Sequence, residues 1–206
     1  MKLFLDIETL PADGKNLDMV RTFWEESRRK SGGKVIKGVN DFETFFRNTS
    51  FQGEFGRILC IAYATNSSPV ECLSGDEKEI LRKFWSIAKE ADLFIGHNVM
   101  EFDLRFIYKR SIIHQVQPSR NLSFARYRSE PIYDTMKEWE KWSNSTVALR
   151  KLCLVLGITS PKEEGIDGSK VYDFFLAGKT DEICEYCKRD VEATRKLYKK
   201  MIFVAN

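Results

Sequence analysis

Two acids stand two positions apart in an otherwise apolar segment: Asp6 and Glu8 in "LFLDIETLP", residues 3–11. Side chains of a strand alternate between faces, so Leu3, Leu5 and Ile7 share one face and Phe4, Asp6 and Glu8 the other. Like charges this close repel and lose hydration, a cost that cations, hydrogen-bond donors or protonation must offset. A divalent ion such as Mg²⁺ or Mn²⁺ offsets it best, because these ions favour hard oxygen ligands. A frayed strand end with two solvated acids fits this segment equally well. A second candidate is "FIGHNVMEFD" (94–103), which leaves an apolar strand through Gly96, His97 and Asn98. It sets Phe102 and Asp103 on the first turn of the next helix, where an acid also serves as an ordinary partner of the helix dipole. The third is "EYCKRDVEATRKLY" (185–198), in which Tyr186 and Asp190 are four apart and share a helix face. Alone, that pair reads as packing plus a surface acid.

The elements that must position these residues follow from hydrophobic period and punctuation. Residues 2–8 read as a strand, stopped by Pro11 and "ADG". Residues 16–30 read as a helix broken by "SGGK", and residues 41–56 as an irregular or partly helical connection. "RILCIAYAT" (57–65) and "SSPVECLSG" (67–75) form a predicted hairpin. "DEKEILRKFWSIAKEA" (76–91) opens on an Asp cap and keeps helical apolar spacing. "DLFIGHN" (92–98) is a short buried strand, 100–111 a helix and "PIYDT" (131–135) a fifth strand. From 136 onward the pattern is helical, interrupted at 157–168. This order describes one mixed α/β domain over residues 1–206, with 112–130 and 157–168 as surface excursions.

Taken in order, Asp6-x-Glu8-Thr9, Asn98-x₃-Phe102-Asp103 and Tyr186-x₃-Asp190 resemble the three motifs of the DEDD, or DnaQ-like, 3′–5′ exonucleases. The final Tyr marks the DEDDy branch. The five-residue step from Asn98 to Asp103, with Phe before the Asp, is similar to the proofreading domains of family B DNA polymerases and to the stand-alone predicted exonucleases related to them. The resemblance implies an RNase H-like fold, a five-stranded mixed sheet flanked by helices. It implies two divalent ions, Mg²⁺ or Mn²⁺, about 4 Å apart, that hydrolyse phosphodiesters at single-stranded DNA or RNA 3′ ends. In that scheme Asp6 bridges both ions, Glu8 and Asp190 bind the nucleophile-side ion, and Asp103 holds the other directly or through water. Tyr186 orients the attacking water, since a phenol of pKa about 10 is a poor base at neutral pH. Thr9 and Leu10 fall where family members meet the terminal 3′-hydroxyl and last base. Phe102 is placed to stack on a base and Asn98 to contact sugar or phosphate. Core packing explains Leu10 and Phe102 equally well.

Composition permits this function without arguing for it. Thirty-three Lys and Arg against 30 Asp and Glu give a net charge of +3, a weak bias for a polyanion binder. Five cysteines at irregular spacing do not make a disulfide framework and fit a reducing cytoplasm. No signal-like or membrane-spanning apolar run appears. With no polymerase segment in the sequence, proofreading in cis is not expected. Cys184-x₂-Cys187 is half a motif within a helix and reads as two packed thiols. His97 reads as a cap or packing group, and Asp134 as a helix cap before "TMKEW" and a rival to Asp103 as fourth ligand. The Arg120, Arg126 and Arg128 loop, with Phe124 and Tyr127, reads equally as a phosphate track or a solvated basic loop. Two other classes compete with an exonuclease. One is a nucleic-acid-binding domain that kept the fold and lost catalysis; the other is a Mg²⁺ phosphatase using Asp6 as nucleophile, which leaves the second and third motifs unexplained.

Overall fold

The computed structural model describes residues 1–30, 41–158, 166 and 168–204. The break at "SGGK" and most of the 157–168 loop lie outside these residues. Five strands, β1 (Lys2–Leu10), β2 (Arg57–Thr65), β3 (Glu71–Ser74), β4 (Leu93–Gly96) and β5 (Ile132–Asp134), form one sheet in the order β3-β2-β1-β4-β5. β2 runs antiparallel to both β1 and β3, whereas β4 is parallel to both β1 and β5. The first strand of the chain is therefore the middle of the sheet, and its apolar residues are buried on both faces.

The two faces of β1 separate as the period of two dictates. Leu3, Leu5 and Ile7 pack with Ile61 of β2 beneath α3 (Glu77–Ala88) and α4 (Asp103–His114), against Phe84, Trp85, Leu104 and Ile107. Phe4 and Leu10 lie on the opposite face with Cys60, Ala62, Ala64 and Ile95. There they meet α7 (Val171–Leu176) and the 22-residue α8 (Thr180–Met201) through Val171, Ile183, Cys187, Val191 and Tyr198. Small Ala side chains on β2 let α8 lie close to the sheet. Each fully buried Leu, Ile or Phe in these layers is worth roughly 1.5–3 kcal/mol.

Three details fix the parts that carry the motifs. Opposite the Glu8–Thr9 step the register skips Leu59, so β2 carries one extra residue and the ladder kinks where the acids stand. At Gly96 a Cβ would lie 2.5 Å from the Val99 Cβ and 3.0 Å from the Leu5 carbonyl oxygen, so only glycine lets β4 turn off so sharply. Behind α4, the buried Arg110 guanidinium donates twice to Glu77 of α3, at 2.8 Å each, while Glu77 also accepts from the Ile58 N–H at 2.7 Å. That pair locks α4 to α3 and β2. α1 (Leu17–Lys30) and α2 (Phe42–Asn48) form a separate small cluster around Val20 and Phe45. α5 (Thr135–Trp139) and α6 (Leu149–Val155) pack on the far end of α8 through Met136, Leu152 and Leu197. No described helix is long and apolar enough to cross a membrane.

Candidate active site

Carboxylate oxygens of Asp6, Glu8 and Asp190 lie within 4.8 Å of one another, at the meeting of β1 and α8. β1 supplies the first two because residues 6 and 8 share the face that α8 covers. α8 supplies the third because Asp190 lies at the border of its apolar stripe, between the buried Cys187 and Val191. Asp103 enters from the other edge of β1. β4 pairs with β1 only as far as Phe4, so the Ile7 N–H has no strand partner on that side. The Asp103 carboxylate, at the first turn of α4, accepts that hydrogen at 3.0 Å. The charges of Asp134 and Asp190 raise its affinity for protons, and its own charge in turn raises that of Asp6. Tyr186, one turn before Asp190, is buried and hydrogen-bonds the Asp190 side chain.

The electrostatics follow from putting four acids in one place. Burial, then Asp190, Asp103 and Glu8, hold the Asp6 carboxyl well above the usual carboxylate range. Burial is also the main cause at Asp103, pushed up to about 7 despite the Ile7 N–H. The Tyr186 phenol is driven well above its usual range by burial and by the charges of Asp190, Glu8 and Asp6. Such a set suits hard divalent cations. Oxygens bound to one ion at about 2.1 Å lie roughly 3–4 Å apart, close to the spacing present here.

The remaining sequence candidates are distributed unevenly. Asn98 is half-buried with its backbone in the left-handed region, φ 63°, and its carbonyl accepts from the Phe102 N–H at 3.0 Å. Phe102 is half-buried between Phe106, 5.6 Å away, and Phe51, 6.3 Å away between ring centroids. The Thr9 hydroxyl donates to the Ser50 carbonyl at 2.7 Å, and Leu10 lies inside the core. Neither side chain has a free face. Asp134 is a cap, accepting from the Met136 and Lys137 N–H groups; its oxygens also take the N–H groups of Asn98 (2.9 Å) and Met100 (3.0 Å). It holds the second motif's turn. His97 packs between Thr135 and the Val147 carbonyl, at 3.0 and 2.8 Å. Phe51, 61% exposed beside Phe102, carries no sequence signal, because 41–56 shows no clear period. Cys184-x₂-Cys187 lacks a second pair in the sequence. Cys60 and Cys72 lie against Cys184, and the Cys187 thiol donates to Asp6 at 3.3 Å, so the half-motif is extended in space by residues remote in sequence.

A family described as "Predicted 3′-5′ exonuclease related to the exonuclease domain of PolB" has a profile that matches residues 54–206. The chain belongs to this family. The match takes in the second and third motifs, while Asp6 and Glu8 precede it and join the site through the sheet. An uncharacterized protein of Methanocaldococcus jannaschii is 26% identical over 178 residues, 82% of this chain and 96% of that protein. Among solved structures, the family B DNA polymerase of the hyperthermophilic archaeon Pyrobaculum calidifontis superposes with a TM-score of 0.67 at 18% identity. The superposition covers 98% of this chain and 24% of the polymerase, so the chain spans about a quarter of that protein. The likeness establishes the expected fold, an RNase H-like mixed five-stranded sheet flanked by helices.

Proposed function

We propose that this member of the exonuclease family is an active DEDDy-type 3′–5′ exonuclease, a single domain over residues 1–206 that removes nucleotides from single-stranded 3′ ends. The observation that carries this reading is the convergence of Asp6, Glu8 and Asp190 within 4.8 Å, with the Tyr186 hydroxyl on Asp190. Asp6, Glu8, Asp103 and Asp190 would hold two divalent ions, Mg²⁺ or Mn²⁺, which supply a nucleophilic water at neutral pH and neutralise charge on the leaving 3′-oxygen. Asp6, on the central strand, faces both neighbours. Asp103 gives one oxygen to the Ile7 N–H and so has a fixed orientation. Tyr186 positions the attacking water as a hydrogen-bond partner, since its raised pKa keeps the phenol protonated. The half-buried Phe102 offers a ring for the terminal base and Asn98 a polar group for sugar or phosphate, contacts that tolerate any sequence. Thr9 and Leu10, both held internally, shape the strand end behind that base. We place the protein in the cytoplasm, a setting that suits five free cysteines.

The test uses 5′-labelled and 3′-labelled single strands of DNA and RNA with purified protein and Mn²⁺. The 5′-labelled strand should give a descending ladder and the 3′-labelled strand immediate release of labelled mononucleotide. Cleavage of a circular single strand would refute an exonuclease. Tight binding with no degradation of any strand would instead identify a silent binding domain.

A further inference from the structure

Three sulfurs meet outside the carboxylate set. Cys60 of β2, Cys72 of β3 and Cys184 of α8 bring their Sγ atoms within 4.8 Å of one another. In the β2–β3 register Cys60 pairs with Ser74 and Ala62 with Cys72, so Cys60 and Cys72 are diagonal neighbours on one face of the hairpin. α8 crosses that face and presents Cys184 from above. Cys60 is fully buried and Cys184 buried, whereas Cys72 is partly exposed, so an ion can reach the group from the Cys72 side. Hydrogen bonds from Cys60 and Cys72, helped by Ser74 and the nearby Lys188, favour the thiolate of Cys184.

We propose that Cys60, Cys72 and Cys184 form a three-thiolate binding site for a soft d¹⁰ cation, Zn²⁺ in the cell, distinct from the carboxylate site for hard ions. Thiolates select soft ions, and carboxylates select Mg²⁺ and Mn²⁺, so one chain can sort the two classes without competition. Zn–S bonds of about 2.3 Å set sulfurs about 3.8 Å apart in a tetrahedron. The present spacing needs a contraction of at most about 1 Å, with water as the fourth ligand. Binding releases the thiol protons and leaves sulfur unoxidised. The ion would tie the β2–β3 hairpin to α8 two residues before Tyr186. Cys187, which hydrogen-bonds both Cys60 and Asp6, is the contact between the two sites.

The test keeps the carboxylates out of the readout. Reduced, chelator-stripped protein in saturating Mg²⁺ receives one equivalent of Co²⁺, in the wild type and in Asp190→Asn. Both should develop an intense sulfur-to-cobalt charge-transfer band with tetrahedral ligand-field absorption, abolished by equimolar Zn²⁺. Cys72→Ser and Cys184→Ser should lower cobalt affinity by about a hundredfold or more, while Cys153→Ser, outside the group, should not. Far-UV circular dichroism checks that each variant is folded; Cys72→Ser, nearest solvent, carries the conclusion if Cys184→Ser unfolds. No charge-transfer band in the wild type would show a packed thiol cluster only. A band of unchanged affinity in folded Cys72→Ser would place the ion elsewhere; either result overturns the proposal.

Discussion

At the scale of single residues, Tyr186 and Asp103 make separable predictions. Tyr186→Phe keeps the ring in its place and removes one hydroxyl that now contacts Asp190. If the hydroxyl positions the water, the maximal rate falls by roughly ten- to a thousandfold while the Michaelis constant barely moves. Single-turnover rates at saturating Mn²⁺ decide it, and equal rates would remove Tyr186 from the mechanism. Asp103 bears on stability. Its pKa of about 7 in the folded protein lies above the 3.8 of a free Asp carboxyl, so between those values the folded chain holds a proton that the unfolded chain has lost. Stability from this group is complete below about pH 4 and is lost as pH rises through about 7. Metal-free wild type should therefore melt at falling temperature across that window. Asp103→Asn, which retains an acceptor oxygen for the Ile7 N–H, should flatten the slope in chelator-containing melts at stepped pH.

Among the elements, the turn from β4 to α4 depends most on one remote side chain. Asp134 caps α5 and at the same time clamps the Asn98 and Met100 N–H groups. Asp134→Ala strands all four donors and should cost roughly 2–4 kcal/mol in urea unfolding, with Asp134→Asn between it and wild type. Activity should fall with it, because this turn sets Asn98, Phe102 and Asp103. The capping half of that role was legible in "PIYDT" followed by "TMKEW", since caps are local. The clamping half joins residues 36 apart, and no period records it. The same division runs through the molecule. β1, β2, α3 and α8 were legible because their apolar residues repeat at 2 or 3.6 and serve one large core. Residues 41–56 were not, because α2 has only seven residues and turns Phe42, Phe45 and Phe46 toward a small cluster with Trp24 and Val20. Asp6, Glu8, Asp103, Tyr186 and Asp190 were legible as an ordered set. The thiol group was not, since Cys60 and Cys72 become neighbours only through the β2–β3 register.

For the molecule as a whole, the acids that make the site also oppose its folding. Asp190→Asn removes one of the charges that raise Asp6, so the metal-free variant should melt at the same or a higher temperature than wild type. At Mn²⁺ about a hundredfold above its Kd, wild type should gain about 2.7 kcal/mol, or roughly 5–10 °C, and the variant less. Calorimetry of both proteins with chelator and with Mn²⁺ checks this; a large loss in the metal-free variant would mean that Asp190 is a structural residue. α8 also orders events in time. A ribosome delivers β1, with Asp6 and Glu8, long before it delivers Tyr186 and Asp190. Until residues 180–201 emerge, Phe4, Cys60, Ala62 and Ile95 lack the helix that covers them, and the nascent chain holds only part of its acidic set. Under the activity proposed above, a chain built this way would stay inert beside the message that encodes it and become competent only when this last long helix docks.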